Sequence, residues 1–333
     1  MTKLDPNRGS GEDRLIAKYL RPLAQHPGAF GLIDDAAVLT PPAGHDLVLT
    51  TDGVIAGVHV FAGDPANAIA RRALRVNLSD LAAKGAKPAG FLMSLALPAD
   101  VSDEWLAAFA AGLGDDARQY GCPLLGGDTD RTPGPLSVSI AAFGTLPSGT
   151  MVRRTGAKAG DLVFVSGTIG DAALGLALRR DPATAARLTA TARDHLLARY
   201  QLPQPRTMLA EALRGHASGA IDISDGLVAD LAKLCRASGA SARIEVERIP
   251  LSDGARAMCD ADAEALRTVL TGGDDYEILA TVAPANAEAF RAAALAAGAA
   301  LASIGCIEAG DAAPRLLRDG QALQFDRMGY SHF

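Results

Sequence analysis

Six short acidic clusters are spread along the chain, and nearly all stand where an apolar run ends: Asp34-Asp35, Thr50-Thr51-Asp52, Asn77-Leu78-Ser79-Asp80, Gly126-Gly127-Asp128, Asp222-Ile223-Ser224-Asp225 and Gly272-Gly273-Asp274-Asp275. Carboxylates and hydroxyls beside small residues suit hard cations and phosphate groups. Mg²⁺ takes oxygen ligands, one or two of them carboxylates, and leaves the rest to water and phosphate oxygens. Four of these clusters also have an ordinary structural use. Asp52 before Gly53 forms a turn, and Asp80 pairs with Lys84 one helical turn on. Gly126-Gly127-Asp128 makes a hairpin turn, and Ser224 or Asp225 caps a helix. Density favours chemistry. Thr50 and Thr51 add hydroxyls to Asp52, and Thr129-Asp130-Arg131 follow Asp128 directly. Two glycines let a bound group approach the backbone, and a helix start after Asp225 attracts phosphate. The apolar neighbours Leu78, Leu81 and Ala82 bury the surroundings of Asp80, whose carboxylate then needs a partner. If the acids converged, two unit charges ~4 Å apart would repel by about 4 kcal/mol at an effective dielectric near 20, so convergence demands cations.

The elements that must position these residues are legible as periodicities. Residues 12–23, 65–84 and 102–120 carry apolar faces at helical spacing, the last capped by Ser102 and stopped at Gly121. Short apolar runs at 47–51, 91–97, 123–125 and 137–145 are expected to be strands, the first ending at Asp52 at a carboxyl edge, where open α/β sheets bind ligands. Pro147-Ser148-Gly149 is expected to be a linker. Beyond it, strands are expected at 161–166, 220–223, 242–246, 277–282, 300–307 and 314–317, and helices at 172–180, 192–201, 207–214, 225–238, 263–270 and 285–297. This gives an α/β (α+β) chain of two mixed domains, 1–148 and 149–333. The two Gly-Gly-Asp turns hint at related halves.

With 333 residues the chain exceeds a single ordinary core. Its net charge is −6, with no long basic run, which argues against a nucleic-acid partner. Cys122, Cys235, Cys259 and Cys306 lack metal or redox spacing and are expected to be buried, reduced thiols of a cytoplasmic protein. No apolar leader opens the chain, and the apolar stretch 292–307 is broken by Gly298, Ser303 and Gly305, so neither a signal peptide nor a membrane partner is expected. There is no P-loop and no Gly-x-Gly-x-x-Gly after a strand, and the histidines show no ligand spacing.

Taken together, Asp34-Asp35-Ala36-Ala37, Thr51-Asp52, Asn77-Leu78-Ser79-Asp80-Leu81-Ala82-Ala83, Gly126-Gly127-Asp128-Thr129, Arg154-Thr155-Gly156, Gly167-Thr168, Ile221-Asp222-Ile223-Ser224-Asp225-Gly226-Leu227 and Gly272-Gly273-Asp274-Asp275-Tyr276-Glu277 resemble the thiamine-monophosphate kinase family, in order from about residue 11 to the end. The resemblance implies phosphoryl transfer from ATP to thiamine monophosphate with several Mg²⁺ ions. It assigns Asp35, Thr50, Thr51, Asp52, Asp80, Asp128, Asp222 and Asp225 to metal ligation. It assigns Tyr120, Gly127, Asp128, Arg154 and Ser224 to ATP, and His59, Asp274 and Tyr330 to the thiamine moiety. Asp52, Asp128, Arg154 and Asp225 then carry the transfer. The resemblance further implies a homodimer whose N-terminal sheets pair into a β-barrel-like interface near the active site. The N-terminal domain would bind ATP and Mg²⁺, and the C-terminal domain would complete the site. The chain departs from the family pattern at Ile33, where the family has Gly, and at Asp274, where it has Glu.

Two rivals remain at this stage. One is another ATP-dependent enzyme of the same superfamily, such as aminoimidazole ribonucleotide synthetase, which fits Asn-Leu-Ser-Asp less well. Selenophosphate synthetase needs a reactive Cys near the N-terminus, and the first Cys here is Cys122; a hydrogenase-maturation protein ends in a Cys-containing tail, and this chain ends Tyr330-Ser331-His332-Phe333. The other rival is a non-catalytic nucleotide or cation sensor.

Overall fold

The structure, a computed structural model, describes residues 10–186 and 188–331. The chain divides into two units: one takes the residues up to Leu81 together with Lys87–Ser148, the other Ala82–Ala86 and the residues from Gly149 on.

In the first unit, β1 (His45–Ile55), β2 (Lys87–Leu97), β3 (Leu124–Arg131) and β4 (Ser137–Pro147) form a four-stranded sheet in the order β1-β4-β2-β3. Helix α1 (Gly11–Leu15) is capped by Ser10 and does not run straight on to residue 23. It widens into a π-turn at Ile16–Leu20 and tightens to a 3₁₀ turn at Arg21–Leu23, where Pro22 lacks the N–H that a continuing helix needs. Helix α2 (Ala66–Ala83) follows β1, and α3 (Asp103–Gln119), capped by Ser102, connects the parallel pair β2 and β3.

Two expectations fail here. β1 does not end at Asp52. It pairs with β4 from His45↔Pro147 to Ile55↔Ser137, and Asp52 lies inside the strand opposite Ile140, because the apolar alternation resumes at the buried Val54. Gly126-Gly127-Asp128 is strand, not turn: it runs parallel to β2, with Gly127 opposite Met93 and Asp128 opposite Ser94. A Cβ on Gly127 would stand 1.9 Å from the Met93 carbonyl oxygen, so this close pairing admits only glycine. Residues 272–276 are irregular, so the repeated tripeptide adopts two conformations and marks no repeat.

Strand pleating divides the first sheet. Val48, Val54, Met93, Leu95, Val138 and Ile140 are buried. The opposite face carries Leu49 at 63% and Leu92 at 36% exposure, alongside the exposed Thr51, Ser94 and Ser139.

The second unit holds β5 (Leu162–Ser166), β6 (Ala217–Ile223), β7 (Ala240–Glu245), β8 (Glu277–Val282), β9 (Leu301–Ala309), β10 (Arg315–Arg318) and β11 (Gln321–Ala322). They form a mixed sheet in the order β11-β10-β7-β9-β5-β8-β6. Helices α4 (Asp171–Arg180), α5 (Ala190–Gln201), α7 (Leu227–Ser238), α8 (Asp253–Ala261) and α9 (Ala263–Thr271) contribute to one core with Val163, Ile221 and Leu279. Helices α6 (Ala210–His216) and α10 (Ala287–Ala296) contribute to another with Phe164, Ile278 and Ala280. These strand residues alternate along β5, β6 and β8, so the two cores cover opposite faces of the sheet. Helix α8, capped by Ser252, escapes the periodicity because Gly254, Ala255 and Ala257 leave its apolar stripe short. Helix α7 starts at Leu227 rather than at residue 225, since Gly226 takes φ 117°, outside the helical region. Both sheets keep two edge strands, and neither closes into a barrel within the chain.

Of the thiols, Cys122 and Cys235 are buried, while Cys259 and Cys306 are only partly so; none is in a disulfide. Burial pushes the Cys122 thiol up to about 12 and the Cys235 thiol up to about 11. No helix among the described residues is long and apolar enough to cross a membrane.

Candidate active site

In the first unit, β1 presents its acidic cluster to both faces of the sheet. On one face Thr50 Oγ1 donates to Asp80 Oδ2 at 2.5 Å, and the Asp52 N–H donates to Asn77 Oδ1 at 2.9 Å. Asn77 is fully buried, and its Nδ2 donates to the Ala73 carbonyl oxygen one turn back. The spacing Asn77-x-x-Asp80 thus puts an amide and a carboxylate against alternate β1 residues, and Asn77 acts as a staple on the Asp52 backbone. Lys84, expected to pair with Asp80, donates instead to the Ala220 carbonyl oxygen at 2.7 Å. On the other face Thr51 Oγ1 donates to the Ile140 carbonyl oxygen at 3.0 Å.

Thr51 and Asp128, with Ser94 and Ser139, line a cavity of about 280 Å³. Asp128 and Gly127 also line a larger one of about 600 Å³ that includes Asp34, Asp35 and Thr129. Ile16, Leu20, Leu47 and Phe143 supply apolar wall to this larger cavity. That wall escaped the sequence reading, because its residues come from unconnected segments whose only signal is ordinary apolar periodicity.

His59 sits in the turn after β1, where its Nδ1 accepts from the Ile55 N–H at 3.0 Å, which leaves any ring proton on Nε2. Tyr120 lines neither cavity. Its ring lies 5.6 Å from the Arg75 guanidinium carbon, and Arg75 is itself bound to the buried Asp116.

In the second unit three separate segments meet. The Asp274 N–H donates to the Ser224 carbonyl oxygen at 2.9 Å, the Tyr276 N–H to that of Ile223 at 2.8 Å, and the Tyr330 N–H to that of Asp225 at 3.0 Å. A Cβ on Gly273 would stand 2.3 Å from the Ser224 oxygen, which explains the second glycine of this loop. Asp222, Ser224, Asp225, Asp274 and Tyr330 are therefore neighbours along one stitched backbone.

Neither Ser224 nor Asp225 caps α7. Buried Asp230 does the equivalent work from within the helix, accepting from the N–H groups of Ser224, Asp225 and Gly226 at 2.9, 2.9 and 3.2 Å. Burial raises the Asp230 pKa against the opposing pull of Lys233. Lys233 Nζ binds Asp230 Oδ1 at 2.7 Å and also Asp225 Oδ2. Burial works to lower the Lys233 pKa, but the hydrogen bonds that Lys233 donates to these two acids outweigh it and leave it raised. Asp230 and Lys233 had no motif to announce them; their only signal was helical spacing behind Asp225.

Arg154 lies beside β6, where the neighbouring Arg153 carbonyl accepts from the Ala220 N–H at 3.2 Å. The Arg154 carbonyl accepts from Ser238 Oγ at 2.7 Å, at the far end of α7.

Among the described residues no three His, Cys, Asp or Glu side chains gather tightly enough to hold a metal ion by themselves. The acids are not a closed carboxylate cage. The donors present are nonetheless oxygens, as shown by the Thr50–Asp80 pair and by Asp35 and Asp128 in one cavity. That set fits Mg²⁺, which binds through one or two carboxylates and fills its sphere with water and phosphate.

Comparison with known proteins agrees across the chain. Family models described as AIR synthase related protein match residues 33–146 (N-terminal domain) and 158–314 (C-terminal domain). The thiamine-monophosphate kinase of Caulobacter vibrioides is 43% identical over 321 residues, 95% of this chain and 89% of that protein. The crystal structure of thiamine-monophosphate kinase from Stenotrophomonas maltophilia K279a superposes with a TM-score of 0.81 at 38% identity, covering 93% of this chain and 96% of that one. The structure of AaThiL complexed with AMPPCP and TMP gives a TM-score of 0.75 at 30% identity over 92% and 97%.

Proposed function

The chain belongs to the thiamine-monophosphate kinase family, and from that membership and the geometry above we infer how it works. It phosphorylates thiamine monophosphate at the expense of ATP, giving thiamine diphosphate and ADP. This is the last step in making thiamine diphosphate. The observation that carries the assignment of residues is the stitching of Ser224, Asp225, Asp274 and Tyr330 into one neighbourhood by backbone hydrogen bonds.

The acceptor is a phosphate monoester whose second pKa lies near ~6, so it is largely dianionic at neutral pH and needs no strong general base. An oxygen of that phosphate attacks the γ-phosphorus in line. The new P–O bond forms as the bond to the β-phosphate oxygen breaks, and the electron pair leaves on ADP. The difficulty is bringing anions together, and the chain answers it with positioning and charge. Ser224, Gly127, Asp128 and Tyr120 are assigned to ATP, and Arg154 adds positive charge to its phosphates. Asp274, shorter than the usual Glu, and His59 face the thiamine moiety. Tyr330, 51% exposed, offers an aromatic face to the cationic thiazolium. Mg²⁺, when held by Asp35, Thr50, Thr51, Asp52, Asp80, Asp128, Asp222 and Asp225, supplies neutralising charge to the phosphates. The first unit would thus serve ATP and Mg²⁺ and the second would complete the nucleotide and substrate contacts, in a cytoplasmic enzyme.

A homodimer completes the reading. Leu49 and Leu92 on the open sheet face join Phe30, Ile33 and Val38 as exposed apolar side chains of the first unit, at 36–66% exposure. Their exposure supports the proposal, since pairing of two first-unit sheets into a barrel-like contact would bury them. Light scattering should give twice the chain mass, and a monomeric mass would reject the pairing.

The decisive assay mixes purified protein, Mg²⁺, ATP and thiamine monophosphate and separates products by chromatography. Thiamine diphosphate should appear in step with ADP, and free thiamine should give none. ADP release without thiamine diphosphate would overturn the reading.

A further inference from the structure

The loop 272–276 carries an unusual backbone. Asp274 has φ 77° and Tyr276 φ 51°, two non-glycine residues in the left-handed region within three positions. Such conformations persist only where the surroundings over-determine them. Above the loop, the N–H groups of Asp274 and Tyr276 are bound to the carbonyls of Ser224 and Ile223. Below it lies an ionic network in which Asp275 and Glu277 are wholly buried and Arg206 is partly so, and whose arginines no sequence motif announces.

Glu277 is wholly buried and accepts from Ser166 Oγ at 2.6 Å, from Arg199 Nη2 at 2.8 Å and from Arg206 Nε at 2.7 Å. The same Arg199 nitrogen donates to the Asp275 carbonyl oxygen at 3.0 Å. The Asp275 carboxyl, also wholly buried, accepts from the Gly170 and Ala172 N–H groups at 2.7 and 3.3 Å, at the start of α4. One residue of the loop is thus gripped twice, by its carbonyl and by its side chain, directly between the two strained positions.

We propose that Arg199 and Asp275 are positioning residues that hold the loop 272–276 in its left-handed conformation and so aim Asp274 at the cationic moiety of thiamine monophosphate. Arg199 suits the task because one terminal nitrogen donates to both the Glu277 carboxylate and the Asp275 carbonyl, and the rigid guanidinium plane fixes the directions of its two N–H bonds. A lysine ammonium is a point charge on a flexible stem and cannot hold both in that geometry. Neither residue reaches ATP in this role, so their loss registers on one substrate only. The proposal rests on the kinase reading above.

The test compares steady-state kinetics of the wild type, Arg199→Lys, Arg206→Lys and the near-isosteric Asp275→Asn. Arg199→Lys should raise KM for thiamine monophosphate at least tenfold, with KM for ATP within twofold. Asp275→Asn keeps one of two acceptor oxygens and should raise the same KM severalfold. Arg206→Lys disturbs the Glu277 carboxylate but leaves the bond to the Asp275 carbonyl, so the thiamine monophosphate KM should stay within twofold. A merely structural role would move both KM values, kcat and the melting temperature together in all three variants, and that pattern overturns the proposal. So does an unchanged thiamine monophosphate KM in Arg199→Lys or, should that variant not fold, in Asp275→Asn. A wild type that makes no thiamine diphosphate instead sinks the kinase reading itself.

Discussion

The acids at or beside the sequence clusters are held by opposite means in the two units, the buried Asp116 of the first unit, bound by Arg71 and Arg75, standing apart from those clusters. In the first, Asp80 is met by a threonine hydroxyl, Asp52 is stapled through its backbone by Asn77, and Asp35 and Asp128 stand exposed on cavity walls. In the second, Asp225 and Asp230 share Lys233, Glu277 is clasped by Arg199 and Arg206, and Asp275 is fed by backbone N–H groups. Neutral donors leave a carboxylate's charge available to an added cation. Internal cations and N–H groups consume it and return rigidity instead. The open acids of the first unit are therefore equipped to recruit charge; in the second, Asp230, Asp275 and Glu277 fix geometry, while Asp225, shared with Lys233, stays beside Asp222 as the pair proposed above for Mg²⁺.

That contrast can be broken by substitution. The largest expected effect is on the recruiting side: Asp128→Asn should lower kcat by about a thousandfold, on the scale of a lost transition-state electrostatic contact, while the urea midpoint stays where it was. A stability loss of comparable size would show that Asp128 is a scaffold residue after all. On the fixing side the sign reverses. Glu277→Gln leaves two arginines with a neutral partner in a dry interior and should cost about 3–5 kcal/mol of folding stability, the scale for breaking a buried pair. Unchanged denaturation curves would show that the network is ornamental.

The smallest effect sharpens the comparison through pH. Burial pushes the Asp275 carboxyl well above the usual carboxylate range, against the N–H groups of Gly170 and Ala172. A raised folded-state pKa means that the group's favourable contribution is present below its unfolded pKa and is lost as pH rises toward the folded value. The wild type should therefore lose stability relative to Asp275→Asn between pH 5 and pH 8, at ~1.4 kcal/mol per unit of pKa difference. Urea titrations at both pH values measure it; a difference that stays flat with pH would mean that the carboxyl titrates as it does in the unfolded chain.

Much of the fold was legible. The run 277–282 is a strand within those same limits, and Ser102 caps α3 as expected. The misses share a cause. Asp52 and Asp128 lie inside strands because cross-strand pairing, invisible in a local window, extends β1 and draws Gly126 and Gly127 into β3. Helix α7 starts late because capping passed to Asp230, four to six residues downstream of the N–H groups it serves. The candidate site was legible as residue types, since oxygen donors beside glycine carry a chemical bias wherever they fold. The partners were not: Lys233, Arg199 and Arg206 are commonplace residues whose role comes only from what they touch.

By itself the amino-acid order determined the family, the alternation of helices and strands, and a supply of acids without matching basic runs. These follow from local periodicity and side-chain chemistry, which operate over a few residues. Only the tertiary structure decided which carboxylates stay open and which are neutralised from within, because burial and partners separated by up to 111 positions, as between Ser166 and Glu277, set that balance.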